Sequence, residues 1–238
     1  SIHYLDRFQT LVRDLKPDIL HSNGVKAHLL TAASKPSTCR LIWHIRDFIA
    51  QRTWTSRLLA LPARRVWRII ANSHAVAKDL RNCNWPRVPV RVLHNTVDTT
   101  LFSPDNSLPS NLDGLAGLPI PGNDTLRIGL IATYARWKGH DVYLKAAAQI
   151  IALGTRNVRF YIIGGPIYGT VGSQWSRQEL KAIAHELGIT EYVAFVPQQS
   201  QMPPIYRALD IVVHASTSPE PFGLVVAEAM ACGLPLAA

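Results

Sequence analysis

The chain has 238 residues with 47% apolar content, which is enough for two small domains or one large domain. No run of about 18 apolar residues is present, which argues against a membrane-spanning helix, and the first residues lack the pattern of a signal peptide. The cysteines, Cys39, Cys83 and Cys232, are far apart and outside any Cys-x-x-Cys pattern. This usage favours a reducing compartment over a disulfide framework or a zinc site, so we expect a cytoplasmic protein.

The net charge of +9 is unevenly distributed along the chain. Residues 1–110 carry 16 Lys and Arg against 7 Asp and Glu, whereas residues 111–238 carry 9 of each. This excess predicts an anionic partner for the first half, namely lipid headgroups, a phosphorylated acceptor or nucleic acid. An ordinary solvated basic face is the alternative interpretation. Nucleic acid is the least expected partner, because no recognition module is visible.

Apolar spacing in the first half predicts helices and strands in alternation. The helices are predicted at residues 2–15, 24–33 and 75–81, and the strands at 18–21, 40–44, 68–73 and 88–92. One of these strands ends at His44, which Arg46 and Asp47 follow. Ligands bind at the carboxyl ends of strands in open α/β sheets, so His44 is a candidate functional residue, with a structural histidine as the alternative.

Residues 52–68 form a basic segment in which arginines are interleaved with Trp and Leu. Pro62 interrupts any single helix, which predicts two short amphipathic segments with cations beside Trp54 and Trp67. This composition is typical of an element that binds an anionic membrane surface. A surface helix whose Trp side chains pack inward is an equally good interpretation.

Pro, Gly, Asn and Ser are frequent between residues 102 and 124. They predict a linker at 98–125 that joins a first domain, 1–97, to a second, 126–238. In the second half, strands are predicted at 126–132, 158–163, 192–196 and 211–214, and helices at 141–153, 177–187, 205–209 and 224–232. This alternation predicts a doubly wound parallel sheet with helices on both faces.

Three loops of the second half are expected at one carboxyl edge of that sheet. The first carries Arg136 and Lys138, the second carries Gly164 and Gly165, and the third covers residues 216–223. The glycines allow a ligand close to the backbone. We expect the two cations to face the N-terminus of the helix 224–232, where amide groups and the helix dipole favour a diphosphate.

Two glutamates lie eight positions apart at this last helix. Glu220 is in a Pro-rich loop, and Glu228 is on a helical face that the neighbouring residues predict to be buried. A buried carboxylate needs hydrogen-bond donors. A ribose diol would supply them, and backbone amides are the alternative.

The segment Glu220-Pro-Phe-Gly-Leu-Val-Val-Ala-Glu228 resembles the Glu-x7-Glu motif of the retaining nucleotide-sugar glycosyltransferases of family 4. Supporting matches are Arg136-Trp-Lys-Gly-His-Asp, Phe160-Tyr-Ile-Ile-Gly-Gly-Pro and Val92-Leu-His-Asn-Thr-Val-Asp. The resemblance extends over nearly the whole chain. It implies the α/β fold called GT-B, in which two Rossmann-like, doubly wound domains face each other across a cleft.

The resemblance also implies a role for each matching residue at the donor. Glu228 would hold the ribose hydroxyls, and Glu220 would contact the donor sugar. Lys138 would neutralise the diphosphate leaving group. The remaining donor-binding residues would be Phe222, Gly223 and Leu224 through their amides, Gly164 and Gly165 through close backbone approach, and Phe195 and Val196 at the base.

His44 would lie near the donor sugar and the acceptor in the first domain. The implied reaction is transfer with retention at the anomeric carbon, without metal or other cofactor. The acceptor would be lipid-linked, a polysaccharide or a small molecule. The basic first half favours an enzyme that associates peripherally with the inner face of the membrane.

The sequence also departs from the family pattern. Thr133 stands where the family often has an arginine, so either Arg136 takes over its role or the site is weakened, and Thr96 stands where glycine is usual. The first strand with its Gly-rich loop and the last strand of the donor domain are expected to be absent, so that both domains are incomplete. A non-catalytic nucleotide-sugar-binding subunit, and another GT-B enzyme such as a nucleotide-sugar epimerase, are the alternatives.

Overall fold

The computed structural model describes residues 2–104, 108–122, 124–167 and 172–238. The chain divides into two compact units, Ser1–Thr96 and Val97–Ala238. Within the described ranges, no helix is long and apolar enough to cross a membrane. Cys39, Cys83 and Cys232 are all buried free thiols.

The first unit is built on a parallel sheet of four strands in the order β1-β2-β3-β4. Its strands are β1 (Ile19–Asn23), β2 (Arg40–Ile45), β3 (Arg68–Ala71) and β4 (Val90–Val92). Its helices are α1 (Ile2–Leu15), α2 (Val25–Ser34), α3 (Thr53–Ala60) and α4 (His74–Leu80). The predicted alternation of helices and strands is confirmed in this half.

Strand β2 is the centre of the first core. Leu41, Trp43 and Ile45 alternate along it and are buried, as expected for one face of a strand. The loop after β2 is fixed by Asp79, whose buried carboxylate accepts the backbone N–H of Ile49 at 2.7 Å and of Ala50 at 2.9 Å. The carboxyl end of β2 therefore has a defined shape.

The second unit is built on a parallel sheet of five strands in the order β7-β6-β5-β8-β9. Its strands are β5 (Leu126–Ile131), β6 (Val158–Ile163), β7 (Val193–Val196), β8 (Ile211–Val213) and β9 (Leu236–Ala237). Its helices are α5 (Leu112–Ala116), α6 (His140–Ala152), α7 (Arg177–Glu186), α8 (Pro203–Arg207) and α9 (Leu224–Ala231). Separate hydrophobic cores cover the two faces, so the predicted doubly wound architecture is confirmed.

Two described residues of the predicted linker, Phe102 and Asp113, pack against the second unit. Asp113 of α5 is buried and accepts hydrogen bonds from Arg159 Nη1 at 2.5 Å and from Tyr161 Oη at 2.8 Å. Phe102 makes an edge contact with Tyr206 of α8 at 5.7 Å between ring centroids. The predicted linker thus contacts the second unit through at least these two side chains.

One short strand follows helix α9 in the second unit. Leu236 and Ala237 form β9 and pair in parallel with Val212 and Val213 of β8. Gly233, with φ of 71°, ends α9 and turns the chain back toward the sheet. Two residues are too few for a strand pattern to be visible in the sequence.

Candidate functional site

The carboxyl ends of β5, β6 and β7 and helix α9 enclose a cavity of about 250 Å³ in the second unit. The loops after β5 and β6 contribute Thr133, Gly164 and Gly165, and α9 contributes Glu228. The remaining lining residues are Ile131, Ala132, Ile163, Gln198, Gln199, Met202 and Val225. The cavity thus combines an apolar wall with backbone groups and one carboxylate.

Glu228 is half-buried in this cavity wall. Its Oε2 accepts a hydrogen bond from the Tyr206 hydroxyl at 2.6 Å. Burial raises the pKa of Glu228, and the hydrogen bond from Tyr206 opposes this without cancelling it. The hydrogen-bond donor to Glu228 is therefore a side chain of α8, and not the backbone amides that the sequence analysis gave as an alternative.

Lys138 and Glu220 form an ion pair, and Glu220 lies in the loop just before the N-terminus of α9. The same oxygen of Glu220 accepts from Ser216 Oγ at 3.0 Å and lies 3.3 Å from His214 Nε2. Burial alone would raise the pKa of Glu220, but the bond and charge of Lys138, with Ser216 and His214, hold it below its ordinary value. This side of the site is an ionised carboxylate surrounded by donors.

Helix α9 begins at Leu224, and the N-cap residue before it, Gly223, has φ of 83° and provides no side-chain cap. Its first backbone hydrogen bonds run from the amides of Val226 and Ala227 to the Gly223 carbonyl. The amides of Leu224 and Val225 come before these bonds, as at every helix N-terminus. They are donors available to an anion, and the helix dipole favours one there. Phe222, which precedes the turn, is half-buried.

Two glycines bring the loops of the site into close contact. A side chain at Gly139 would place Cβ 1.8 Å from the Ala215 carbonyl oxygen, and at Gly164 it would place Cβ 2.0 Å from the Ala132 carbonyl oxygen. Both residues also have positive φ, 72° and 147°. The loop of Lys138 therefore lies directly against the strand that leads to Glu220.

Arg136 does not lie where the sequence placed it. Its guanidinium stacks on Trp175 at 3.8 Å from the ring centroid and binds Glu179 Oε1 at 3.1 Å. Its Nε donates to the Gly172 carbonyl at 3.0 Å. These contacts direct Arg136 toward the N-terminus of α7, so Lys138 alone of the predicted cation pair has its charge at Glu220.

Phe195 and Val196 do not line the cavity. Phe195 is buried in the core on one face of the sheet, and Val196 is buried in the core on the other. Consecutive residues of a strand point to opposite faces, so both side chains are taken up by packing. Gln198, Gln199 and Met202, which follow β7, occupy the cavity wall instead.

In the first unit, His44 lines a separate cavity of about 520 Å³ at the carboxyl end of β2, together with Asn23, Arg46 and Asp47. Its ring stacks on His21 with 5.6 Å between centroids. Burial, and then the charges of His21 and Arg46, lower the pKa of His44. Its buried Nε2 has no hydrogen-bond partner in the part of the chain that the structure describes. The lowered pKa favours the neutral imidazole, whose buried Nε2 is left without a hydrogen-bond partner among the described residues.

Three large apolar residues of the basic segment 52–68 lie on the surface. Trp54, Leu58 and Leu61 are 81%, 56% and 71% exposed. Their spacing of four and three residues places them on one helical face with Arg57, whose guanidinium lies 5.8 Å from the Trp54 ring centroid. The interpretation in which Trp54 packs inward is wrong, because Leu59 and Ala63 supply the buried side.

Within the described ranges, no group of three or more His, Cys, Asp or Glu side chains is arranged to hold a metal ion.

Two parallel α/β units define a protein of the GT-B fold class, as comparison with solved structures shows. The crystal structure of Anabaena HepE in complex with UDP is similar with a TM-score of 0.82 and 26% identity, over 98% of this chain and 62% of that chain. A sucrose-phosphate synthase from Thermosynechococcus elongatus has the same fold, with a TM-score of 0.78 and 18% identity over 98% and 60% of the two chains.

The chain belongs to the glycosyltransferases of family 4. The family described as Glycosyltransferase Family 4 matches residues 1–101, and the one described as Glycosyl transferases group 1 matches residues 121–238. A D-inositol 3-phosphate glycosyltransferase of Mycolicibacterium smegmatis is 35% identical over 175 residues, or 72% of this chain. One from Acidothermus cellulolyticus is 34% identical over 183 residues, also 72% of this chain. The chain spans 37% and 38% of the length of these two relatives.

Several residues of the site were missed in the sequence. Tyr206 and His214 contact the two glutamates but stand among residues typical of a buried helix or strand, whereas Ser216 lies in the loop 216–223 that was expected at this edge. The signal that could have found His214 is its position directly after β8, since residues there share the edge with Glu220. Nothing in the sequence pairs Tyr206 with a residue 22 positions away.

Proposed function

We propose that this chain forms the donor-binding and acceptor-binding core of a retaining glycosyltransferase that uses a nucleoside diphosphate sugar. The observation that carries the proposal is the cavity in which Glu228, Gly164 and Gly165 converge at one sheet edge. A carboxylate is a suitable acceptor for the two hydroxyls of a ribose, and the glycines admit a ligand close to the backbone.

The diphosphate of the donor is proposed to bind between Lys138 and the N-terminus of α9. Lys138 holds Glu220 in an ion pair, so donor binding would exchange one anionic partner of Lys138 for another. Glu220 would then be released toward the sugar hydroxyls. The amides of Leu224 and Val225 and the dipole of α9 would share the charge of the leaving group.

We propose uridine as the nucleoside. The support comes from the structural relatives, since Anabaena HepE was crystallised with UDP and with UDP-glucose at 26% identity to this chain. Gln198, Gln199 and Met202 lie in the cavity wall after β7, where a base would be bound in place of the predicted Phe195 and Val196.

The acceptor is proposed to be anionic and to bind in the first unit near His44. The curated relatives named D-inositol 3-phosphate glycosyltransferase support a phosphorylated acceptor, and so does the excess of basic residues in this half. A lipid-linked, polysaccharide or small-molecule acceptor remains within this proposal. An acceptor at the inner face of a membrane would agree with the exposed Trp54, Leu58 and Leu61.

We further propose that the reaction needs no metal, because Lys138 and α9 provide positive charge for the leaving group. Transfer measured with and without EDTA tests this point. Unchanged rates are expected, and loss of activity that Mg²⁺ restores would contradict it. The anomeric configuration of the product, read by NMR, tests retention.

The decisive experiment is turnover of a radiolabelled UDP-sugar by the purified protein, after a thermal-shift comparison of UDP, GDP and ADP. Glu228→Ala and Lys138→Ala should each lower kcat/KM at least about a hundredfold, as for loss of a charged contact in the transition state. The exposed residues Glu186 and Lys181 provide matched controls, and their alanine variants should keep full activity. UDP binding without hydrolysis or transfer would instead favour the non-catalytic sugar-binding subunit.

A further inference from the structure

Tyr206 is fully buried at the centre of the second unit, next to the cavity but not among the residues that line it. Its ring packs against Phe102, and α8 is held in place because the Pro204 carbonyl accepts the Ser110 amide at 2.9 Å. A buried phenol needs a hydrogen-bond partner. Its partner is Glu228 Oε2 at 2.6 Å, a short bond typical of a neutral donor and a charged acceptor.

From this arrangement we propose that Tyr206 is a positioning residue for nucleotide recognition, which orients the Glu228 carboxylate so that it accepts both hydroxyls of the donor ribose. The inference rests on the proposed donor function and names a residue that acts through Glu228 without touching the nucleotide.

The number of available lone pairs supports this role. An ionised carboxylate offers about four acceptor positions, and the Tyr206 hydroxyl occupies one of them on Oε2. Two of the remaining positions are enough for a cis-diol. The Tyr206 hydroxyl is the donor that the described residues place on the Glu228 carboxylate, so this contact fixes the rotation of the carboxylate in the absence of a ligand.

The same contact controls the charge of the carboxylate. Burial raises the pKa of Glu228 and so favours its neutral form, which would accept the diol less well. The hydrogen bond from Tyr206 acts against this effect. Burial and the adjacent carboxylate raise the pKa of Tyr206 itself, so that it stays a neutral donor across the physiological range.

The experiment compares the affinities of UDP and 2′,3′-dideoxy-UDP, which lacks both ribose hydroxyls, by calorimetry on the purified protein. Wild-type protein should bind UDP at least about tenfold more tightly than the dideoxy nucleotide. Tyr206→Phe should bring this ratio close to one and leave the affinity for the dideoxy nucleotide unchanged. A merely structural role would weaken both nucleotides alike and keep the ratio.

Tyr161→Phe is the matched control. Tyr161 is equally buried, lies in the same core and donates its hydroxyl at 2.8 Å to another buried carboxylate, that of Asp113. Its loss should destabilise the unit without changing the UDP to dideoxy-UDP ratio. A second variant, Glu228→Asp, keeps the charge but withdraws the carboxylate from Tyr206, and it should also lose the discrimination.

The pH dependence gives an independent readout. Without the opposing effect of Tyr206, the pKa of Glu228 should rise further. When the pH is lowered, UDP affinity should therefore begin to fall at a higher pH in Tyr206→Phe than in wild type. An unchanged ratio in both Tyr206→Phe and Glu228→Asp would overturn the positioning role. If wild-type protein binds neither nucleotide, the proposed donor function itself fails, and the positioning role fails with it.

Discussion

Lys138 and Glu220 form an ion pair across 82 residues of sequence, with side chains that are only 18% and 13% exposed. The pair joins the loop after β5 to the loop after β8, and His214 and Ser216 hold the same glutamate oxygen. In the proposed donor complex Lys138 would bind the diphosphate. The resting structure therefore has Lys138 occupied by an internal anion.

This occupation predicts that Glu220→Gln binds UDP more tightly than wild type while transferring sugar more slowly. Removal of a competing charge beside Lys138 should raise UDP affinity by about three- to tenfold. The sugar contact proposed for Glu220 would be lost, so kcat should fall at least about tenfold. Calorimetry and turnover assays measure the two effects, with Glu186→Gln as the control. Weaker UDP binding in Glu220→Gln would refute the competition.

The two glutamates are expected to affect stability in opposite directions. The pKa of Glu220 is lowered in the folded protein, so its charge stabilises the fold above the ordinary value of 4.5, and this contribution is lost as the pH falls. The pKa of Glu228 is raised, so ionisation costs stability as the pH rises above 4.5. At pH 7, Glu220→Gln should lower the melting temperature and Glu228→Gln should raise it.

Both differences should shrink when thermal unfolding is repeated near pH 4, below the ordinary value of 4.5. Glu228 is then largely neutral in the folded and unfolded states, and Glu220 is largely protonated in the unfolded chain. Two shifts of the same sign at pH 7 would contradict this prediction. A stabilised Glu228→Gln that no longer binds UDP would show that the site keeps a charge at a cost in stability.

The sequence was sufficient for the order and type of nearly all elements, because the longer helices show their apolar period and the strands are short apolar runs between turn residues. Strand β6 and helix α1 have the predicted bounds, and Ser73 caps α4 by accepting the Val76 amide at 3.1 Å. Strand β9 and helix α5 were missed, since two and five residues are too short for a period to be recognised.

At the site, local patterns identified which loops converge but not where each side chain points. Gly164, Gly165 and Glu228 line one cavity, as their positions at strand ends and on α9 indicated. The direction of Arg136 depends on Trp175 and Glu179, which stand about forty residues away. Contacts of this kind depend on how the elements pack together, so the spacing of residues in the sequence does not predict them.

Arg136 is accordingly expected to contribute to stability and little to catalysis. Arg136→Ala removes the stack on Trp175 and the bond to the Gly172 carbonyl, so its melting temperature should fall by a few degrees. Its kcat/KM for the donor should stay within about threefold of wild type, whereas Lys138→Ala should lose about a hundredfold. Thermal unfolding and turnover measured on both variants decide this. Equal catalytic losses would place Arg136 at the diphosphate after all.

The exposed face of α3 predicts binding to anionic membranes. Trp54, Leu58 and Leu61 would insert between headgroups while Arg57 and Arg64 contact the phosphates, and residues 51–70 contain no Asp or Glu that would oppose this. Trp54→Ser with Leu58→Ser should reduce binding to phosphatidylglycerol vesicles in flotation assays at least about tenfold, because each large side chain contributes roughly 1.5–3 kcal/mol of burial.

Two controls accompany this measurement. Leu153→Ser changes another exposed leucine, 86% exposed and in the second unit, and should leave vesicle binding unchanged. Vesicles of neutral phosphatidylcholine should bind the wild type weakly, and salt should weaken binding to the anionic ones. Equal binding of the wild type and the double variant would exclude α3 as the contact surface.

Neighbouring glycines of the cavity are expected to differ sharply in their tolerance of a side chain. Gly164 has φ of 147°, and a Cβ there would lie 2.0 Å from the Ala132 carbonyl oxygen, so backbone atoms of β5 would have to move. Gly164→Ala should cost more than about 2 kcal/mol in unfolding free energy. At Gly165 a Cβ meets nothing within 4 Å, so Gly165→Ala should fold with nearly wild-type stability. Because Gly165 lines the cavity, the methyl group should still weaken UDP binding severalfold. Chemical denaturation of the two variants measures the loss of stability, and calorimetry measures the loss of UDP affinity. A Gly164→Ala variant as stable as Gly165→Ala would show that the loop after β6 is not packed against β5 as closely as these distances require.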